Sequence, residues 1–145
     1  MTETLKIPQI IESKVFADDR GIFSPFIDGS EFGIKRVYYV VNPFHGTIRG
    51  FHFHKIEWKY FVIVQGSAKF VAINPEKPEE KYTFVSSERK PNTILIPANY
   101  ANGWVSLENN TILLCASTST TQESLADDKR FDPMQWGDVW STKPR

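Results

Sequence analysis

Short runs of β-branched and aromatic residues, separated by Gly, Pro, Asn and Asp, make up most of this chain. Between residues 46 and 55 hydrophobic and polar positions alternate, as in a β-strand, where successive side chains point to opposite faces. The segments that fit a strand are residues 10–16, 22–27, 35–42, 48–54, 59–65, 68–74, 81–86, 93–96, 103–107 and 111–117. About ten strands at this spacing predict an all-β antiparallel sandwich or barrel.

Helix signals are weak and fall in one place. The stretch "TTQESLADDKRF" at 120–131 starts with capping residues and carries an early acidic residue, which predicts a short helix after the last strand. The linker-like stretch "NPEKPEEKY" at 74–82 is typical of a hairpin loop rather than of a domain boundary. We therefore expect one domain over residues 1–145.

Composition narrows the class of protein. The 17 basic and 17 acidic residues give a formal net charge of zero, so nothing predicts binding to nucleic acid or to an anionic membrane. The single cysteine, Cys115, lies in the apolar run "TILLCAS" and is interpreted as a buried hydrophobic residue, which fits a reducing compartment. No signal peptide or membrane-spanning stretch is evident, so we expect a soluble cytoplasmic protein.

The stretch "GTIRGFHFHK" at 46–55 contains the strongest candidate chemistry, because His52 and His54 lie two residues apart on one face of a predicted strand. Such a pair can bind a metal ion, with Glu57 as a third ligand. It can also transfer protons, because imidazole titrates near physiological pH. The nearby cations Arg49 and Lys59 suit an anionic substrate or a developing oxyanion and oppose a divalent ion.

Five motifs in order carry a family resemblance: "DDRGIF" at 18–23, "RGFH" at 49–52, "KYFVIVQG" at 59–66, "IPANYANGW" at 96–104 and "FDPMQW" at 131–136. With them the chain resembles the cupin family of nucleotide-sugar epimerases, typified by dTDP-4-dehydrorhamnose 3,5-epimerase. The resemblance implies a cupin barrel, that is, a double-stranded β-helix or jelly roll, with a short C-terminal helical segment. No cofactor is predicted, and Lys59 and Asn102, which stand where cupins usually supply a glutamate and a third histidine, argue against a bound metal.

The resemblance also implies roles for individual residues. His52 matches the general base that removes the proton alpha to the 4-keto group, and Asp132 matches the carboxylate that pairs with this base. Lys59 is similar to the cation that stabilises the enolate. Arg20 and Arg49 are similar to residues that contact the diphosphate or the sugar. In the family, the segment with the first arginine reaches into a neighbouring subunit, which implies a homodimer with an exchanged N-terminal segment.

Two departures from the epimerase pattern leave the reaction open. The stretch "ASTSTTQES" at 116–124 lacks the family tyrosine that reprotonates the opposite face, and Asn102 replaces a histidine. The stretches "IKRVYYV" and "RGFHFHK" resemble the related dTDP-4-keto-6-deoxyglucose 3,4-ketoisomerases, in which both histidines move protons. His54 is then a second catalytic residue.

Three further residues are candidates for substrate contact, namely Tyr39, Asn102 and Trp104. The sequence thus predicts an isomerase of a dTDP- or UDP-linked 4-keto-6-deoxy sugar, acting in deoxysugar or polysaccharide biosynthesis. A catalytically inactive cupin that binds a sugar nucleotide or a partner enzyme is one alternative. A metal-dependent cupin using His52, His54 and Glu57 is another.

Overall fold

The computed structural model describes residues 6–29 and 33–145, which form short strands and a short helix. The elements are β1 (Gln9–Ile11), β2 (Phe16–Asp18), β3 (Gly21–Phe23), β4 (Arg36–Asn42), β5 (Ile48–Phe53), β6 (Lys59–Gln65), β7 (Ser67–Ile73), β8 (Lys81–Ser87), β9 (Thr93–Ile96), β10 (Ala101–Ser106), β11 (Thr111–Ser117), α1 (Thr121–Ala126) and β12 (Lys129–Arg130).

Ten of these strands form two five-stranded sheets. Sheet 1 has the order β1-β9-β6-β11-β4, and sheet 2 has the order β12-β5-β10-β7-β8. All strand pairings are antiparallel, and consecutive strands often belong to different sheets. This is the jelly-roll arrangement of a cupin barrel, which confirms the predicted fold class. Strands β2 and β3 form a separate hairpin.

The main core lies between the two sheets. Its fully buried members include Ile63 of β6, Phe70 of β7, Ile94 of β9 and Leu113 of β11. Burying large apolar side chains of this kind is worth roughly 1.5–3 kcal/mol each. Cys115 also lies in this core, as expected, and burial raises the pKa of its thiol to about 12.

The chain after β12 covers the outer face of sheet 2. Trp140 is almost fully buried and packs against Phe51, with the two ring centroids 4.8 Å apart. Its indole N–H donates to the carbonyl of Pro133 at 2.8 Å, so its polar atom is satisfied as well. This packing shields the outer face of sheet 2 from solvent, on the side of the sheet opposite the space between the two sheets.

The predicted helix is confirmed as α1. Thr120 is its N-cap and forms a capping box with Glu123, in which each side chain bonds to the backbone N–H of the other residue. No residue of α1 is buried, so polar contacts rather than apolar packing hold it in place. The sequence did not predict β12, which follows α1 and pairs with β5.

The N-terminal strands differ from the prediction. The expected strand at 10–16 is split into β1 and β2, and the strand expected at 22–27 ends at Phe23. Pro25 follows shortly after and cannot donate a ladder hydrogen bond, which explains the early end. The loop at 74–82 joins the paired strands β7 and β8, as expected. In the described parts of the chain, no helix is long and apolar enough to cross a membrane.

Candidate active site

A cavity of about 300 Å³ opens between the two sheets at the end covered by α1. Strands of both sheets and the segment from α1 to β12 supply its walls. The lining residues are Arg36, Tyr38, Val40, Arg49, His52, His54, Lys59, Phe61, Asn102, Gly103, Trp104, Leu113, Thr121, Ser124, Leu125, Asp128 and Arg130.

Strand β5 brings both histidines to this cavity. His52 lies inside β5 and His54 directly after its last residue, so the alternation of the strand points both imidazoles to one side. His52 is one-third exposed, whereas His54 is buried. The structure therefore brings the two histidines together, as the sequence pattern indicates.

Lys59 enters the same cavity from the start of β6 in the opposite sheet. Its Nζ lies 3.3 Å from Nε2 of His54, and the side chain is buried. The Nδ1 atom of His54 faces the backbone carbonyl of Asp127 at 3.0 Å. Both ring nitrogens of His54 thus have defined partners.

Asp128, rather than Asp132, is the carboxylate beside the histidines. Its Oδ1 lies 3.8 Å from Nδ1 of His52 and 3.9 Å from Nε2 of His54, and its Oδ2 accepts from Arg130 at 3.0 Å. Asp132 is exposed and does not line the cavity, because its carboxylate accepts the N–H of Met134 at the start of the C-terminal turns. The predicted pairing of Asp132 with His52 is therefore corrected to Asp128.

Both histidines are neutral at pH 7. Burial and the Lys59 cation lower the pKa of His52 to about 4, and the same two causes lower the pKa of His54. The Asp128 carboxylate acts in the opposite direction on both rings but does not outweigh them. A neutral imidazole in a cavity can accept a proton, which is the state that a general base requires.

Glu57 lies behind the cavity rather than in it. Its carboxylate is fully buried and accepts from Arg36 at 3.0 Å, from Ser117 at 2.6 Å and from Ser124 at 2.6 Å. One oxygen also lies 3.5 Å from Nδ1 of His54. With both oxygens engaged and Lys59 in the cavity, the trio of His52, His54 and Glu57 does not fit a metal site. In the described residues, no cluster of three or more His, Cys, Asp or Glu side chains is arranged to hold a metal ion.

Among the predicted substrate contacts, Arg49, Asn102 and Trp104 line the cavity. Arg49 is held by Asn42, which accepts from its Nε at 2.7 Å. Asn102 donates to the carbonyl of His52 at 3.2 Å and so braces the histidine strand.

Two predicted contacts lie elsewhere. Tyr39 is 68% exposed on the outer face of β4, and its neighbour Tyr38 points into the cavity instead. The predicted contact Tyr39 therefore lies outside the cavity, and Tyr38 occupies the corresponding place inside it. Arg20 lies in the β2–β3 hairpin, where it pairs with Asp18 and is largely exposed, away from the cavity of this chain.

Sequence reasoning missed Arg36, Asp128 and Arg130. Alternation with Tyr38 along β4 could have identified Arg36. The two others lie in the charged run "ADDKR" at 126–130, and no pattern in that stretch marks them. They reach the cavity because α1 ends at Ala126 and β12 pairs with β5.

A known protein family matches most of the chain. Residues 6–135 match the family model described as "FdtA: WxcM-like, C-terminal". The chain belongs to this family. No curated protein matches the WxcM-like chain.

Solved structures of sugar epimerases and ketoisomerases share the fold of this WxcM-like chain. The rmlC epimerase of Mycobacterium tuberculosis is 19% identical with a TM-score of 0.81, over 97% of this chain and 76% of that one. A dTDP-4-dehydrorhamnose 3,5-epimerase of Bacillus anthracis, with TDP and PPi bound, is 19% identical with a TM-score of 0.80, over 99% of this chain and 90% of that one. A double variant of the 3,4-ketoisomerase QdtA of Thermoanaerobacterium thermosaccharolyticum, in complex with TDP, is 25% identical with a TM-score of 0.73, over 90% of each chain. The cupin fold predicted from the motifs is confirmed.

Proposed function

We propose that this protein is a nucleotide-sugar isomerase that enolises a 4-keto-6-deoxy sugar linked to dTDP or UDP. The observation that carries the proposal is the pair of neutral imidazoles, His52 and His54, in one cavity beside the carboxylate of Asp128. The neighbours described above as a 3,5-epimerase and a 3,4-ketoisomerase act on sugars of this class or bind TDP, which supports the same substrate class here.

His52 is the general base of the proposed reaction. It takes the proton from the carbon alpha to the keto group, and the sugar becomes an enolate. The resulting imidazolium is stabilised by Asp128, whose carboxylate lies 3.8 Å from Nδ1. Lys59 supplies a buried positive charge for the enolate oxygen, since an ammonium in a partly desolvated cavity stabilises an oxyanion more strongly than water does.

The cations around the opening suit the diphosphate. Arg49 and Arg130 both line the cavity and are exposed, so their guanidinium groups can pair with phosphate oxygens without a change in the backbone. Arg36 is oriented by Glu57 and by the hydroxyl of Thr121, to which it donates at 3.2 Å. Among the described residues that line the cavity, Asp128 is the acidic group that opposes these cations.

Keto migration between carbons 3 and 4 fits the arrangement better than double epimerisation. His52 lies in β5 and His54 directly follows it, so both imidazoles reach the cavity from one side, and His52 can remove and return a proton on one face of the sugar through an enediol. Epimerisation requires a proton donor on the other face. Tyr38 lines the cavity from β4 in the opposite sheet, but burial and the adjacent Cys115 raise the pKa of its phenol far above its ordinary value, which makes it a poor donor.

A homodimer with an exchanged N-terminal segment is also proposed. The β2–β3 hairpin exposes the large apolar side chains of Phe16, Ile22 and Phe23 together with Arg20. An exposed apolar hairpin of this kind is typical of an interface. Sedimentation of the wild-type protein and of Phe23→Asp tests this: the wild type should be a dimer and the variant a monomer, and a monomeric wild type would contradict the proposal.

Solvent exchange tests the proposed chemistry. The protein is incubated with dTDP-4-keto-6-deoxyglucose, and separately with its UDP counterpart, in deuterium oxide. Deuterium is followed at carbons 3 and 5 of the recovered substrate and at carbon 4 of a 3-keto product. We expect label at carbon 4 of the product and, through the reverse reaction, at carbon 3 of the substrate, loss of both with His52→Asn, and no change with His45→Asn, whose side chain lies outside the cavity. Binding without exchange at any of these carbons would instead indicate a non-catalytic sugar-nucleotide protein.

A further inference from the structure

Asp127, the C-cap residue of α1, forms hydrogen bonds through both its side chain and its backbone carbonyl. Its carboxylate accepts three successive backbone N–H groups after β5, from Lys55 at 2.9 Å, Ile56 at 2.9 Å and Glu57 at 3.3 Å. Its backbone carbonyl accepts from the ring of His54 at 3.0 Å. One residue therefore anchors both the loop that follows the histidine strand and the second histidine itself.

These contacts define the protonation of His54. A backbone carbonyl can only accept, so Nδ1 of His54 must carry the proton of that hydrogen bond. An ammonium can only donate, so Nε2, which lies 3.3 Å from Nζ of Lys59, must present its lone pair. The ring is then the neutral Nδ1–H tautomer, which agrees with the lowered pKa of His54.

We propose that Asp127 is a positioning residue that fixes His54 in the Nδ1–H tautomer, so that Nε2 of His54 holds the ammonium of Lys59 in the cavity. This inference rests on the proposed function for its effect on the reaction, but not for the tautomer itself. The inference also assigns different roles to the two histidines. The lone pair of His54 is occupied by Lys59, so His52 is the ring free to take a proton from the sugar, and His54 acts through Lys59.

Asp127 also affects the position of Asp128, because the two residues share a peptide group. The carbonyl that holds His54 belongs to the peptide group that joins Asp127 to Asp128. When the carboxylate of Asp127 fixes this peptide against the loop at 55–57, it also sets the position from which Asp128 reaches both imidazoles. Loss of the Asp127 carboxylate should therefore loosen Lys59 and Asp128 together, while the arginines at the opening stay in place.

The tautomer is measured directly by long-range ¹H–¹⁵N correlation spectra of protein labelled with ¹⁵N-histidine. The chain has three histidines, so His45→Asn and His52→Asn assign the remaining signal to His54. At pH 7 we expect the Nδ1–H pattern. An Nε2–H pattern or an imidazolium at this pH would overturn the inference.

Asp127→Ala and Asp127→Asn then test the role of the side chain, with Asp138→Asn as a matched control. Asp138 also accepts two backbone N–H groups, from Trp140 and Ser141, but it lies outside the cavity. We expect Asp127→Ala to give a mixture of His54 tautomers and to slow exchange at carbon 3 by at least about tenfold, that is ~1.4 kcal/mol of activation free energy. Asp127→Asn keeps an acceptor oxygen and should recover part of both losses, and Asp138→Asn should change neither.

The outcomes separate this inference from the proposed function. If the wild type shows the Nδ1–H tautomer but exchanges no deuterium, the proposed function fails and the tautomer assignment stands. If exchange occurs but both Asp127 variants keep the wild-type tautomer and rate, the positioning role is refuted. If Asp127→Ala does not fold, Asp127→Asn is compared with the wild type instead. The same His54 tautomer and the same exchange rate in both proteins would then refute the positioning role.

Discussion

The buried carboxylate of Glu57 is expected to be a main source of stability around the cavity. Its side chain has no exposed surface, and it accepts hydrogen bonds from the guanidinium of Arg36 and from the hydroxyls of Ser117 and Ser124. These partners belong to β4, β11 and α1, so Glu57 joins three elements at one point. The perturbation that removes this junction is Glu57→Ala.

The cost follows from what the substitution leaves behind. Removing one partner of a buried ion pair typically costs about 3–5 kcal/mol, because the remaining charge loses its compensation. The hydroxyls add little, since Ser117 can still donate to the carbonyl of Ser119 at 3.2 Å and Ser124 lines the cavity, within reach of water. For a chain of this size such a loss corresponds to a fall in melting temperature of roughly 6–20 °C. Glu57→Gln keeps the volume and one acceptor, so we expect a smaller cost of about 1–3 kcal/mol.

Equilibrium urea unfolding followed by circular dichroism measures these differences, with the exposed Glu79→Ala as the control, for which we expect a change within about 0.5 kcal/mol. Burial alone would raise the pKa of Glu57, but Lys59 and the hydroxyl hydrogen bonds outweigh it and lower the pKa. The stabilisation is therefore present above the pKa of the unfolded chain and is lost as pH falls through the lower folded-state pKa. A cost below about 1 kcal/mol for Glu57→Ala at pH 7 would refute the assigned ion pair.

Four further predictions concern pH dependence, catalysis and packing. Because the pKa of His52 is lowered from 6.5 to about 4, the acidic limb of kcat/KM should lie near pH 4, and a limb near pH 6.5 would contradict the assigned environment. For the same reason the free energy of unfolding should fall as pH decreases from 6.5 to 4, where the unfolded chain binds the proton first, and His52→Asn should flatten this slope in urea titrations. Asp128→Asn removes the carboxylate beside both imidazoles and should slow exchange at carbon 3 about tenfold or more with an unchanged circular dichroism spectrum, whereas a wild-type rate would exclude its role. In Gly103→Ala the new Cβ would lie 2.6 Å from the carbonyl oxygen of Arg49 and 2.8 Å from the Trp140 ring, so urea unfolding should show a loss of about 1–3 kcal/mol, and a neutral result would contradict the close packing of β5 and β10.

Periodicity was sufficient to predict the barrel strands from β4 to β11, because apolar runs between turn residues depend on local sequence. It also predicted that His52 and His54 face one side, since strand alternation fixes this relation. The selection of Tyr39 instead of Tyr38 shows the limit of the same rule. Alternation says that one of two neighbours faces inward, but a shift of one residue exchanges the faces, and only the pairing of β4 with β11 fixes which one.

The carboxylate partner of His52 could not be found from sequence for a different reason. Asp132 lies in a motif that the resemblance assigns to the base, whereas Asp128 lies in a charged run with no periodic pattern. Its position depends on where α1 ends and on a two-residue pairing of β12 with β5. Both are tertiary features, and a strand of two residues is too short to give a signal in the sequence.

Deuterium incorporation into a nucleotide-linked 4-keto-6-deoxy sugar tests the central claim most directly. The account predicts label at carbon 4 of a 3-keto product and, through the reverse reaction, at carbon 3 of the recovered substrate, with the wild-type protein and with His45→Asn, and a loss of roughly 10²–10⁴-fold in rate with His52→Asn. No label at either carbon with the dTDP- and the UDP-linked sugars, or an undiminished rate with His52→Asn, would contradict it.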